Sequence, residues 1–173
     1  MSIDNSYDSH RRGPRPAARA LDPSPPPRDQ MVMTAPFKAD PAFDAGSVVV
    51  CDWPLCQLRL QDDARFPWLI LIPRRDGLRE LDDLTPAERA RLIEEVVRAG
   101  GAVRELGLAA GRPVEKLNVG ALGNVTAQLH VHVIGRRHDD GLWPDPVWGR
   151  GAAVPHGANR LQSAVSRIRL ANA

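Results

Sequence analysis

Gln128-Leu129-His130-Val131-His132-Val133-Ile134 is the stretch on which the fold turns. In an extended strand successive side chains point to opposite faces. Leu129, Val131 and Val133 therefore share one face, and Gln128, His130 and His132 form a row on the other. The apolar face is a core face. The row places two of the chain's five histidines side by side, which packing alone explains poorly. An imidazole changes charge near neutral pH and serves as nucleophile, acid, base or metal ligand.

The neighbouring segments extend the strand pattern. Ala127–Arg136 reads as the strand that carries the row, joined to Val114–Val119 by the Gly-rich turn Gly120–Asn124. Upstream, Ser47–Asp52 is β-branched, Leu55–Leu60 alternates, and Asp62-Asp63 reads as a turn. Phe66–Pro73 is apolar throughout, the pattern of a central strand buried on both faces. Thr85-Pro86-Ala87-Glu88 is a capping box with proline at the first helical position. Behind it Leu92, Ile93, Val96, Val97, Val103 and Leu106 recur at helical spacing. Gly100-Gly101 weakens that helix unless close packing needs it, and Gly107 and Gly111 bring it to an end. A short C-terminal helix is expected near 159–170, with Leu161, Val165 and Ile168 on one face. These elements predict an α+β fold: a mainly antiparallel five-stranded sheet, one long helix and a short final one.

Composition sets the limits. The 173 residues suffice for one ordinary domain. Eight of the 16 prolines fall within the first 41 residues, so residues 1–33 read as a disordered Pro/Arg-rich leader, in which no apolar segment of the kind a secretory signal needs follows the arginines. Residues 34–150 are expected to form the domain, and 151–173 a tail. The net charge of +2 gives no strong nucleic-acid signal. No apolar run approaches the roughly 20 residues of a membrane span. Cys51 and Cys56 are too few for a disulfide scaffold and read as small apolar residues in a reducing, cytoplasmic setting.

Gln128–Ile134 resembles the signature of the histidine triad superfamily of nucleotide hydrolases and transferases, His-φ-His-φ-His-φ-φ with φ apolar. It matches six of the seven positions, with Gln128 in place of the first histidine. The resemblance extends over Leu69–Pro73, the Thr85 helix and Asn118-x-Gly120, covering roughly residues 40–148. It implies a histidine triad fold, commonly dimeric, needing no cofactor, that acts on nucleotides such as dinucleoside polyphosphates or nucleoside phosphoramidates. The family's nucleophile falls on His130, its phosphate and leaving-group contact on His132, and its ordering residue on Gln128. Gly123 and Asn124 match a phosphate-gripping turn and Asn118 a family asparagine. Asp62 is the nearest candidate for the ribose contact. Val125 stands where the family often has a hydroxyl residue.

Two other readings remain open at this point. Gln128 and Val125 are compatible with a nucleotide-binding protein without catalysis. His130, His132 and His138, with an aspartate nearby, are compatible with a metal-dependent enzyme. Trp143-Pro-Asp-Pro-Val-Trp148 follows the row at a distance that lets it fold over the site or onto a partner subunit.

Overall fold

The computed structural model describes residues 37–171; the expected leader lies outside them. Five strands form one antiparallel sheet: β1 (Ser47–Asp52), β2 (Cys56–Gln61), β3 (Trp68–Pro73), β4 (Lys116–Gly120) and β5 (Val131–Arg136), in the order β1-β2-β3-β5-β4. Helix α1 (Pro86–Ala109) packs on β5 and β3, and α2 (Ala158–Ala171) packs on α1 and β1. The α+β expectation holds, including the short final helix.

Side-chain alternation divides the interior into two clusters. On one face Leu58, Leu60, Leu69, Leu71, Val131 and Val133 meet Leu92, Ala99 and Val103 of α1 and Ile168 of α2. On the other, Trp68, Ile70, Ile72 and Ile134 meet Phe43, Phe66 and Val147 from irregular segments. Every residue of β3 is buried, as its unbroken apolar run predicts. Each such Leu or Ile, fully buried, contributes about 1.5–3 kcal/mol.

The capping box forms as read: Thr85 Oγ1 accepts from the Glu88 backbone N–H, and a Glu88 carboxylate oxygen accepts from the Thr85 N–H. The helix runs through Gly107 and stops at Ala109, before Gly111 takes φ +69°. Gly100 and Gly107 are needed for contact. A Cβ at Gly100 would lie 2.7 Å from Leu117, and one at Gly107 2.7 Å from Val114. Between them they let α1 lie close to β4 and the segment leading into it. Buried Glu95 ties α1 to the turn before β2, accepting from the N–H groups of Leu55 (2.8 Å) and Cys56 (2.9 Å).

One boundary differs where it matters. Strand β5 begins at Val131 rather than Ala127, so Gln128, Leu129 and His130 approach it as irregular chain. Its neighbours stop supporting it there: β4 ends at Gly120 opposite His132, and β3 pairs no further than Leu71 opposite Val131. Two residues beyond, Pro73 has no N–H to offer. Leu129 donates its N–H instead to the Leu78 carbonyl, which keeps Leu129 in the core and His130 on the opposite side.

Candidate active site

His132 lies on β5 between Ile70 of β3 and Gly120 of β4. His130 precedes it on the same side, with ring centroids 4.8 Å apart and the planes nearly perpendicular. Phe43, in the 3₁₀ turn Pro41–Ala45, sets its ring edge against His130 at 5.0 Å. Trp68 does the same to His132 at 5.4 Å, and Trp148 lies 6.0 Å from it. Trp148 also rests over Gly120, where a Cβ would come within 3.1 Å of its ring. The first tryptophan of that loop, Trp143, packs on His138 instead.

Hydrogen bonds assign the two imidazoles different tautomers. His130 Nδ1 is 2.7 Å from the Gln128 backbone carbonyl. A carbonyl only accepts, so Nδ1 carries the proton and Nε2 of the neutral ring holds a lone pair. His132 Nδ1 is 3.0 Å from Trp68 Nε1. An indole N–H only donates, so His132 Nδ1 accepts and the ring proton sits on Nε2. Burial of His132, with His130 beside it, pushes its pKa down to about 3. It is therefore neutral at physiological pH. The pair presents a nucleophilic nitrogen and a proton donor next to each other.

Gln128 contributes through its main chain to His130. Its side chain turns elsewhere, accepting from the Asp40 N–H at 2.7 Å and so holding the start of the turn that carries Phe43. Asn118, on β4, accepts from Arg136 through its Oδ1 at 2.8 Å, which leaves its NH2 outside that bond. Gly123 takes φ +67° and Asn124 is exposed, both in the irregular chain ahead of His130. Asp62 accepts from the N–H and Nδ1 of His156 (2.7 and 3.0 Å), and those bonds hold its carboxyl below the usual range.

The pairing of Arg136 with Asp140 escaped the sequence reading, which took the aspartates after His138 only as possible metal ligands. Both side chains are buried, and the pair is joined at 2.6 and 3.1 Å. Asp140 also accepts from the N–H groups of Arg137, Leu142 and Trp143, while Arg136 reaches the Asp145 carbonyl. This network anchors the loop that brings Trp148 to His132. The charge signal is present in the sequence, but an Arg and Asp four apart ordinarily read as a surface pair.

The three-histidine metal reading does not assemble. His138 is bonded to Glu115 at 2.7 Å and packed at a tilt against Trp143. Among the described residues no group of three or more His, Cys, Asp or Glu side chains is arranged to hold a metal ion.

Known proteins agree with this architecture. The family model for the HIT domain matches residues 43–139. A histidine triad protein from Sinorhizobium meliloti 1021 is 41% identical over 78% of this chain and 96% of its own, with a TM-score of 0.70. One from Bradyrhizobium japonicum is 35% identical, covering 79% and 98%, with a TM-score of 0.71. One from Marinobacter aquaeolei VT8 is 33% identical, covering 79% and 96%, also at 0.71. No curated protein matches the chain.

Proposed function

The chain belongs to the histidine triad family, and from that premise we propose that it hydrolyses or transfers nucleotides at the α-phosphate. The substrate class is a dinucleoside polyphosphate or a nucleoside phosphoramidate. The observation that carries this reading is the opposite tautomers of His130 and His132. His130 Nε2 attacks the α-phosphorus with its lone pair as the bond to the leaving group breaks. His132 Nε2–H donates to the phosphoryl oxygen or the departing group, which leaves with its electron pair and a proton. Water, or another hydroxyl acceptor, then attacks phosphorus as the P–N bond breaks and gives its proton back to His132 Nε2, releasing the nucleotide and regenerating both histidines.

Supporting groups take the roles their positions suit. The Gln128 carbonyl orients His130, and its side chain holds the turn bearing Phe43. Gly123 and Asn124 offer backbone N–H groups to the phosphate, and the Asn118 NH2 offers another donor. Asp62 serves the ribose in this reading, although it is engaged by His156. The catalytic residues lie within the proposed domain 34–150, whose core the following α2 completes through Ile168, and the setting is the cytoplasm. A homodimer is proposed through edge strand β4 and α1, because Val119, Ile93 and Val97 expose apolar surface there.

The test is a panel of mononucleotide phosphoramidates and dinucleoside polyphosphates. Acid-quenched protein from a working substrate is expected to carry a nucleotide on His130, stable to mild base and labile to acid. His130→Asn is expected to bind nucleotide and form no adduct, and chelators to leave turnover intact. Full turnover by His130→Asn refutes the mechanism. Nucleotide binding without turnover on any substrate moves the assignment to a non-catalytic binding protein.

A further inference from the structure

We propose that Trp68 is a positioning residue that fixes the tautomer of His132, its indole N–H occupying Nδ1 so that the ring proton resides on Nε2. This deepens the hydrolase reading above and rests on it for its catalytic meaning, although the bond itself does not. Trp68 pairs across the sheet with Ile134, and His132 with Ile70, so the two rings meet on the diagonal, a reach that aromatic side chains span. The bond is 3.0 Å long, between rings inclined at 73°. It is a direct bond between two buried or half-buried rings.

Without a partner at Nδ1, a neutral imidazole distributes its proton between both nitrogens. In the Nδ1–H form of His132, Nε2 would point a lone pair at a phosphoryl oxygen. That is repulsive where donation is needed. Protonating Nδ1 while Trp68 is in place would set two N–H groups against each other, so the same bond resists formation of the imidazolium. Among the described residues the other groups packed against His132 do not titrate: β3 presents Trp68 and Ile70, β4 presents Gly120, and the loop presents Trp148. His130 is the ionisable neighbour, and its influence disfavours the cation further. Desolvation and Trp68 thus act in the same direction, but only Trp68 chooses which nitrogen keeps the proton.

The experiment is ¹⁵N NMR of the imidazoles in unliganded protein, in the parent and in Trp68→Phe, which keeps an aromatic ring and removes the N–H. In the parent, His132 is expected to show an unprotonated, hydrogen-bonded Nδ1 at neutral pH. In Trp68→Phe the two tautomers should exchange, and the ring should take up a proton at higher pH than in the parent. With an active substrate, kcat should fall while KM stays close to the parent value. Should Trp68→Phe fail to fold, the parent spectrum alone decides. A protonated Nδ1 in the parent at neutral pH overturns the proposal, and so does an unchanged tautomer and titration in a folded Trp68→Phe. Because the resonances are read without substrate, absence of turnover on every nucleotide would refute the hydrolase reading and leave this assignment standing.

Discussion

Asp140→Asn changes one atom, yet the structure predicts a large cost. The carboxylate accepts five hydrogen bonds: two from Arg136 and one each from the N–H groups of Arg137, Leu142 and Trp143. An amide has one accepting end, so either orientation of Asn aims its NH2 at two or more of those donors. Arg136 is meanwhile left buried without its counter-ion; its side chain is 1% exposed and that of Asp140 3%. Removing one member of a buried pair typically costs about 3–5 kcal/mol, and that range is expected here from urea unfolding followed by far-UV circular dichroism.

The pH dependence provides a second, independent check. Burial alone would push the Asp140 carboxyl up, but the bonds and charge of Arg136 and the backbone donors overcome it. They hold the pKa down from its ordinary 3.8 to about 2. A carboxylate depressed on folding contributes stability above its unfolded pKa and loses it as pH falls through its folded one. The difference is worth about 2 kcal/mol, about half of it gone by pH 3. The parent's advantage over Asp140→Asn should therefore be level from pH 7 to about 5 and narrow by about 1 kcal/mol at pH 3. A gap below about 1 kcal/mol at pH 7 would refute the anchoring argument, and so would a gap that widens in acid.

Two further outcomes follow from the same geometry. Glu95→Ala strands the buried N–H groups of Leu55 and Cys56, each costing about 1–3 kcal/mol when unsatisfied, so the urea midpoint should drop sharply; a near-neutral effect would mean that water replaces the carboxylate. His132→Ala removes one preorganised donor and should slow turnover by about 10²–10³-fold while the nucleotide adduct on His130 still forms in rapid-quench experiments, and loss of the adduct would assign His132 a part in the attack itself.

The fold was legible where local rules act alone. The Thr85 cap, the proline after it and the glutamate at the third helical position specify the start of α1 within one turn of chain. The unbroken apolar run of β3 specifies its burial on both faces. The start of β5 was not legible, because it depends on where its neighbours end. Gly120 comes opposite His132 and Leu71 opposite Val131 only once the register is set, and no periodicity within Ala127–Arg136 encodes it. Gly100 and Gly107 were ambiguous for a related reason. Their value lies in Leu117 and Val114, which belong to a later strand and the chain entering it.

The candidate site divides along the same line. A period of two places His130 and His132 on one side without reference to anything else in the chain. What distinguishes their chemistry comes from partners that the pattern does not reveal. One is a tryptophan 64 residues upstream, reached only through the pairing of β3 with β5. The other is a main-chain carbonyl, which every residue type supplies. That second partner bears on position 128. The bond orienting His130 comes from the backbone of Gln128, so it does not depend on which side chain stands there. The glutamine side chain is thereby free to hold Asp40, and through it the turn that lays Phe43 against His130. On this geometry the tautomer of His130 is insensitive to the residue at 128, whereas the covering of its ring is not.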